Sequence, residues 1–252
     1  DDGVLQDVRF VQLLNRYGIK GTFNLNSGLM KTGFSWMHPN GMEVKRLSPA
    51  RAQGLYAGHE IASHTLSHPY MDSLSREEIL RQMQDDKASL EGMFSTPVRG
   101  FAVPFSYYSD LIADCARESG FEYARMSEFS GSYVPCRDWY YWKTGIYHIQ
   151  PQLTDYVAGF LNTDQELAVC QIVGHSYDLD AENLWGTLEL ICAAVAAQED
   201  VWSCTNLELV RYLKAMERCT LSDGHIHNHS DQPLWFEIGG GPRMLLPGEE
   251  IQ

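Results

Sequence analysis

Short apolar segments alternate with stretches of helical periodicity along most of this chain. Six segments have the composition and length of buried strands, and helical stretches with capping signals follow most of them. The six are "KGTFNL", "HEIASH", "RGFAVP", "FEYARM", "LAVCQIVG" and "DVWSCT". Strands joined by helical crossovers lie parallel, so the alternation predicts an α/β protein with either an open doubly wound sheet or a closed barrel.

The alternation ends in the last part of the chain. Helical spacing continues to "NLELVRYLKAMERC", but from about Leu221 the chain has Asp-Gly and triple-glycine turn signals between short alternating runs. We therefore predict two regions, a barrel over residues 1–219 and a small β-rich C-terminal extension over residues 220–252.

Charge and composition exclude several classes of partner. The 252 residues carry a net charge of −14, which argues against nucleic acid or an anionic membrane surface and favours a neutral or cationic substrate. No run approaches the ~18 to 20 apolar residues of a membrane span.

The six cysteines form no CxxC pair and are interpreted as buried thiols. With no signal peptide visible, they favour the cytoplasm, although a chain that begins without methionine could have lost a leader.

The first three residues, Asp1-Asp2-Gly3, precede the first predicted helix directly. A parallel fold needs a strand before that helix, so we expect the natural chain to extend upstream of Asp1. Both carboxylates would then lie at the carboxyl end of a strand. Barrels and open α/β sheets place their active sites at this edge.

The segment "SHTLSHP" is the strongest local indication of a metal site. His64 and His68 are four residues apart, so one helical turn would place both imidazoles on the same face. Catalytic zinc commonly takes three protein ligands and leaves one position open. Asp2 is the candidate third ligand, and Asp1 remains as a base for the metal-bound water.

A second candidate group is His175 in "QIVGHSYDLD", which follows an apolar strand and would project at the same edge. It is either a structural histidine satisfied by Asp178 or Asp180, or a general acid held by one of them.

The order of these motifs resembles that of the polysaccharide deacetylases with a NodB homology domain, carbohydrate esterase family 4. The resemblance covers most of residues 1–219. It rests on the aspartate pair before glycine, the HxxxH motif, a strand with proline at its end and a late strand ending in histidine. It implies a distorted (β/α)7-type barrel of parallel strands, followed here by the small β appendage.

The resemblance also implies a role for each matched residue. Asp1 falls on the catalytic base, His175 on the general acid, and Asp2, His64 and His68 on the zinc ligands. Cobalt, nickel or manganese would suit the same ligands.

The third family motif, Arg-Pro-Pro-Tyr-Gly, is altered in "GFAVPFSYY". Alignment on Pro104 places Ala102 at the arginine and Ser106 at the glycine, with Arg99 three residues earlier as a possible replacement. Phe105 stands at the tyrosine, whose backbone N–H helps to stabilise the oxyanion and requires no particular side chain.

The fourth motif is an aspartate and a tryptophan near the late histidine. Asp138-Trp139 matches it by residue type and Trp142 matches it by position, and neither is assigned a catalytic role. His148, in the same region, either lines the cleft or is structural, and we favour the structural interpretation.

Together these residues predict a hydrolase that removes acetyl groups from an N-acetyl amino sugar or an O-acetyl polysaccharide. Asp1 would deprotonate a zinc-bound water, that water would attack the acetyl carbonyl, and His175 would protonate the leaving group. The expected partner is an acetylated oligo- or polysaccharide, with no membrane or nucleic acid involved. The alternative is a catalytically impaired metal- or carbohydrate-binding barrel.

Overall fold

The computed structural model describes residues 1–251, and of Ser127 only the backbone. By its contacts the chain divides into two units, one over Asp1–Thr205 and one from Asn206 onward. The helices of the first unit are α1 (Asp7–Arg16), α2 (Ser27–Thr32), α3 (Pro49–Ala52), α4 (Arg76–Phe94), α5 (Asp110–Glu118), α6 (Leu153–Leu161), α7 (Ser176–Ala181) and α8 (Trp185–Ala196). Its strands are β1 (Thr22–Leu25), β2 (Ser35–Met37), β3 (Glu43–Lys45), β4 (Glu60–Ser63), β5 (Gly100–Ala102), β6 (Tyr123–Phe129), β7 (Trp142–Thr144), β8 (Ile146–Tyr147) and β9 (Ile172–Val173).

The first unit is built on parallel strands in the order β1-β4-β5-β6-β7. After Gly145 the chain continues from β7 into β8, which pairs in parallel with β9. The N-terminal segment lies between the two ends of this series: the Asp2 N–H donates to the Asn24 carbonyl (2.8 Å), and the Asp1 nitrogen donates to the Gly174 carbonyl (3.0 Å). The predicted distorted (β/α)7-type barrel is confirmed, with the Asp1 segment in its seventh position.

Burial of apolar faces fixes the helices around the strands. In α1, Val11 and Leu14 are buried, as their spacing predicts. The predicted capping box at the start of α4 is present: the Glu78 N–H donates to Ser75 Oγ (3.3 Å), and the Ser75 N–H donates to Glu78 Oε2 (2.9 Å). All six cysteines are free thiols. Of the described residues, no helix has both the length and the apolar character needed to cross a bilayer.

One predicted strand is absent, and one hairpin was not predicted. The segment "DVWSCT" has no strand assignment; there Ser203 Oγ accepts a hydrogen bond from the Lys20 N–H (2.9 Å). The antiparallel hairpin of β2 and β3 was missed because its exposed, mixed sequence has no clear period.

The second unit has the β-rich character that the sequence predicted. It comprises α9 (Asn206–Met216), β10 (Cys219–Ser222), β11 (His225–Asn228), β12 (Leu234–Ile238), β13 (Gly241–Leu245) and β14 (Glu250–Ile251). All its strand pairings are antiparallel, in a β10-β11-β14 sheet and a β12-β13 hairpin. Helix α9, which the sequence analysis placed in the barrel, belongs here, because Gln232 donates to the Arg211 carbonyl (2.8 Å) and the Trp235 N–H to Tyr212 Oη (3.0 Å). The division therefore precedes α9, whereas the sequence predicted it after residue 219.

Candidate active site

The carboxyl ends of the barrel strands bring the sequence motifs to one rim. His64 follows β4 directly, Phe105 lies in a turn just after β5, and His175 lies two residues after β9. The Asp1 segment lies between β1 and the end of β9. Since parallel strands end at the same edge, residues far apart in sequence converge there.

Asp2, His64 and His68 form a group that could hold a metal ion. The donor atoms of Asp2, His64 and His68 all lie within 4.8 Å of one another. Asp2 and His64 are buried and His68 is partly buried. Asp2 Oδ1 is buried and accepts no hydrogen bond. A buried carboxylate oxygen that makes no hydrogen bond and faces two imidazoles, with the Arg46 guanidinium as its ion-pair partner, suits a divalent ion that takes nitrogen and oxygen ligands, such as zinc.

The two histidines are in the protonation state that metal binding requires. His64 Nδ1 lies 2.8 Å from the Ala102 carbonyl, which accepts a hydrogen bond from the Nδ1–H and leaves Nε2 as the lone-pair nitrogen. Burial, together with the neighbouring His68, lowers the pKa of His64 well below its usual value. Burial also lowers the pKa of His68, although the Asp2 charge opposes this. Neutral imidazoles at neutral pH follow from both shifts.

Arg46, at the end of the β2–β3 hairpin, is a charged neighbour of Asp2 that the sequence did not indicate. Its buried Nη1 lies 3.0 Å from Asp2 Oδ1 and donates to Asn26 Oδ1 (2.9 Å) and to the Asp2 carbonyl. Burial opposes ionisation of Asp2, but the charge of Arg46 and the nearby histidines hold the pKa of its carboxyl well below its usual value. Asp2 is therefore anionic at neutral pH, as a carboxylate that could bind a metal ion must be.

The segment from His64 to His68 is an irregular loop, so the expected helical turn was wrong. Thr65 and His68 have φ values of 69° and 55°, which no right-handed helix allows. The Asn26 side-chain amide donates to the carbonyls of His64 and Thr65, the latter at 2.9 Å. These bonds fix the loop in the shape that brings the two imidazole centroids to 4.8 Å.

Asp86 of α4 is hydrogen-bonded to the end of β4, the strand that precedes this loop. It is fully buried and accepts hydrogen bonds from the Ser27 N–H (2.7 Å) and Ser63 Oγ (2.6 Å). Burial raises the pKa of Asp86 to about 7, although both hydrogen bonds lower it. Between pH 3.8 and about 7 the folded chain holds a proton on Asp86 that the unfolded chain has released, so this residue lowers the free energy of unfolding as the pH rises.

Asp86→Asn should remove this pH dependence, because the amide keeps an acceptor for Ser27 and supplies a donor for Ser63 without titrating. We expect the stability of the variant relative to wild type to rise by on the order of 3 kcal/mol from pH 4 to pH 7. Urea unfolding with chelator present measures it. Parallel pH profiles of the two proteins would contradict the expectation.

Asp1 is held by groups from two strands. Asn24 Nδ2 of β1 donates to Asp1 Oδ1 (2.7 Å), and Arg125 of β6 forms a buried ion pair with the same oxygen. Burial lowers the pKa of Arg125 to about 10, so its guanidinium is still charged at neutral pH. Arg125 pairs with Ala102 in the sheet register, so both side chains project to the same face.

Arg125 is a candidate functional residue that the sequence analysis missed. It lies on the strand next to Ala102, where the resemblance placed an arginine, and pairs with that residue in register. Arg99, the replacement suggested by sequence, lies instead 3.4 Å from Glu91 in a partly exposed ion pair. An arginine inside the apolar strand "FEYARM" was the available signal, because arginine is almost never fully buried without a partner.

His175 faces Asp2 on one side and Asp178 on the other. Its Nε2 lies 3.9 Å from Asp2 Oδ2, and its Nδ1 lies 3.1 Å from Asp178 Oδ2. Tyr147 and His148 also contact Asp178 Oδ2, His148 at 3.3 Å. Burial opposes ionisation of Asp178, but hydrogen bonds from the two histidines hold its pKa well below its usual value. Of the two acids proposed for His175, Asp178 is the partner.

Other candidates from the sequence lie outside this network. Asp180 accepts a hydrogen bond from the Trp185 indole (2.7 Å), and Asp138 is exposed and accepts from the Tyr140 N–H (3.1 Å). Trp139 and Trp142 are buried and pack against each other. His148, which we expected to be structural, is buried beneath the site as a partner of Asp178.

Comparison with known proteins identifies the family. Residues 1–124 match the polysaccharide deacetylases. This part of the chain is a polysaccharide deacetylase domain. Within the polysaccharide deacetylases, 82 residues are 32% identical to the peptidoglycan-N-acetylglucosamine deacetylase of Bacillus cereus, a match that covers 32% of this chain and 38% of that protein. The chain thus aligns with well under half the length of this curated relative.

Solved structures of polysaccharide deacetylase type share the fold. A protein of Mycobacterium smegmatis assigned to the polysaccharide deacetylases superposes with a TM-score of 0.62 at 16% identity, over 84% of this chain and 78% of that one. A CE4 family pseudoenzyme of Bacillus anthracis gives 0.54 at 17% identity, over 81% and 60%.

Phe105, the residue at the tyrosine position of the polysaccharide deacetylase motif, lies beside the metal group. Its φ of 55° is unusual for an aromatic residue, and its ring contacts that of His68 edge-on at 4.5 Å. Its amide remains our prediction for the oxyanion donor.

Gly174 lies against His148, which shares Asp178 with His175, the residue predicted to be the general acid. A Cβ at this residue would lie 2.4 Å from His148 Nε2, so Gly174→Ala should displace His148 and, through Asp178, His175. We expect kcat to fall by about 10- to 100-fold with little change in metal affinity, because a small misplacement of a catalytic group is costly. Gly186→Ala, where the added methyl has open space, is the matched control. Equal activity of the two variants would contradict the prediction.

Proposed function

We propose that this chain is a metal-dependent hydrolase that removes acetyl groups from a carbohydrate. One observation carries the proposal: Asp2, with His64 and His68 beside it, lies between a held carboxylate, Asp1, and a carboxylate-paired histidine, His175. A base and an acid on either side of a metal group are what acyl transfer to water requires.

The two catalytic groups are prepared for opposite proton transfers. Arg125 and Asn24 bind and orient the Asp1 carboxylate, so it is placed to accept a proton from the attacking water. Asp178 holds the Nδ1 proton of His175 and stabilises the imidazolium, so Nε2 faces the reacting groups and donates a proton to the leaving amine or alkoxide.

The metal group adds the remaining chemistry. Asp2, His64 and His68 would hold zinc, with cobalt, nickel or manganese as alternatives. When bound, the ion would act as a Lewis acid toward the acetyl carbonyl and lower the pKa of water. The backbone N–H of Phe105 is proposed to donate a hydrogen bond to the oxyanion, in addition to the ion.

An N-acetylated glycan is the first substrate to test, because the curated relative is a peptidoglycan-N-acetylglucosamine deacetylase. The net charge of −14 favours a neutral substrate. Amide and ester acetyl groups react by the same route, so acetylated xylan is the second substrate to test.

A catalytically impaired, glycan-binding barrel is the second candidate. Two observations favour it: Ala102 stands where the family has arginine, and a structural neighbour is a CE4 family pseudoenzyme. The presence of Asp1, Arg125 and His175 weighs against it.

Acetate release from N-acetylated chito-oligosaccharides and from acetylated xylan, with and without chelator, decides between the two. We expect release from at least one substrate, its loss with chelator and its recovery on adding zinc. Binding of either glycan without acetate release, on protein with metal bound, would establish the impaired barrel.

A further inference from the structure

The second unit carries a row of three histidines that the proposed reaction does not use. They lie in the segment "HIHNH", on and directly after β11, where His225, His227 and His229 alternate with other residues. Alternate residues of a strand project to the same face. Accordingly, the ring centroids of His225 and His227 are 6.3 Å apart and those of His227 and His229 are 6.0 Å apart. One face of the β10-β11-β14 sheet therefore presents imidazoles, the commonest metal ligands among side chains.

A carboxylate from the neighbouring strand faces two of these histidines. Glu250 of β14 lies directly opposite His227 in the antiparallel register. Its Oε2 lies 3.0 Å from His227 Nδ1, and its Oε1 lies 3.9 Å from His225 Nδ1. Two donor atoms on one tetrahedral zinc ion lie about 3.3 to 3.6 Å apart, which follows from the lengths of zinc–ligand bonds. The side chains of His225 and Glu250 are 34% and 58% exposed, so they have room to rotate onto a shared ion.

Ser222 of β10 holds the other ring nitrogen of His227. His227 Nε2 lies 3.1 Å from Ser222 Oγ. Ligating histidines commonly have their second nitrogen hydrogen-bonded in this way, and the bond selects the tautomer. When Nε2–H donates to Ser222, the lone pair of Nδ1 faces the Glu250 carboxylate, and a cation between the two satisfies both. His229 is different, because its Nε2 lies 3.0 Å from Thr220 Oγ1 and Glu250 lies opposite His227.

The position of this group gives a bound ion a structural role. The strand β14 has only two residues and pairs with β11 at Ile226 and His227. The buried apolar residues of the second unit, among those described, are Val210, Leu213, Ala215, Leu234 and Leu245. A unit with so small a core commonly needs a disulfide or a metal ion as well, and all six cysteines are free thiols. An ion held by β11 and β14 together would fix the last strand in place.

We propose that His225, His227 and Glu250 form a second metal site, which takes a divalent transition-metal ion and joins β14 to β11. Two imidazoles and a carboxylate suit zinc, nickel or copper, whereas calcium and magnesium take oxygen ligands and should bind poorly. The ion stabilises the second unit and takes no part in acetate release.

Zinc titration of the full chain by calorimetry tests the proposal. We expect two zinc ions per chain in wild type and one in each of His227→Ala and His68→Ala, since the two variants remove ligands from different groups. Glu250→Gln should weaken the second site by about 100-fold or more and Ser222→Ala by about 10-fold, because loss of an outer partner alone costs 10- to 100-fold. Glu237→Gln, at an exposed carboxylate of β12, is the matched control and should change neither site.

Hydrogen exchange locates the ion on the second unit. In the His68→Ala variant, zinc at about ten times its dissociation constant should slow exchange at residues 225–228 and 250–251 by about tenfold, because β14 opens only after the ion leaves. Calcium at the same concentration should leave these rates unchanged. Equal exchange with and without zinc would contradict the proposed role in joining the two strands.

His229→Ala separates this site from adventitious binding to a row of histidines. We expect it to keep the affinity of the second site. Loss of zinc in His229→Ala equal to that in His227→Ala, with Glu250→Gln unaffected, would show adventitious binding only and overturn the proposal. Two bound ions in His227→Ala would also overturn it. One ion in wild type that His227→Ala removes would support the second site and count against the metal group of the proposed function.

Discussion

Replacing Asp1 with asparagine should lower kcat for acetate release by about 10³-fold, the scale on which a positioned base contributes. Asparagine keeps the shape of the side chain and an acceptor for Asn24, but it cannot take a proton at neutral pH. Metal affinity should stay within a factor of about three, because Asp1 is not among the three clustered donors. Acetate assays and calorimetric zinc titration measure the two effects.

Asp164→Asn, at an exposed position of the same unit, is the matched control and should behave as wild type. Because Asp1→Asn also leaves Arg125 without its carboxylate partner, thermal unfolding has to show that the variant is folded. A folded Asp1→Asn protein with more than a tenth of wild-type activity would remove Asp1 from the mechanism.

Removing the guanidinium that holds Asp1 should affect both stability and activity. Arg125→Ala leaves a buried carboxylate without its cation, which costs about 3 to 5 kcal/mol of unfolding free energy. We expect kcat/KM to fall by about 100-fold or more, because Asp1 is no longer fixed. Arg125→Lys keeps the charge but not the planar guanidinium, so its stability and its kcat/KM should lie between those of wild type and Arg125→Ala.

Two further variants separate positioning from a general loss of stability. Arg76→Ala breaks the exposed ion pair with Glu118 and should cost at most about 1 kcal/mol, with full activity. In the double variant Arg125→Ala/Ala102→Arg, the arginine returns to the same face of the neighbouring strand, so we expect at least tenfold recovery of kcat/KM over Arg125→Ala. Normal activity of a folded Arg125→Ala protein would show that Asp1 needs no cation.

The sequence predicts the barrel well because its strands are short apolar runs between capped helices. Asp2, His64 and His68 could be proposed as a group because His64 follows a strand, His68 is four residues further on, and Asp2 was expected at the end of an upstream strand, and strand ends share one edge. The helical turn at His64 was wrong because the side-chain amide of Asn26, a distant residue, fixes an irregular loop there.

The sequence does not reveal which carboxylates the two buried arginines pair with. Arg125 and Arg46 act through register and burial, and neither is near its aspartate in sequence. Asp178 could be predicted as the partner of His175 because it lies only three residues away in sequence, close enough for a local contact. Local pairs can be predicted from spacing, whereas partners on neighbouring strands require the sheet register.

The hydrogen bond between Asp1 and Gly174 spans 173 residues, and the ion pair between Asp1 and Arg125 spans 124. Closing such long loops costs entropy before any contact compensates for it, so we expect these contacts to form late in folding. A metal ion added to the unfolded chain would therefore meet its three ligands together only after the barrel has closed. The bound ion would then slow unfolding and leave the folding rate unchanged. It would therefore increase the kinetic stability of the native state.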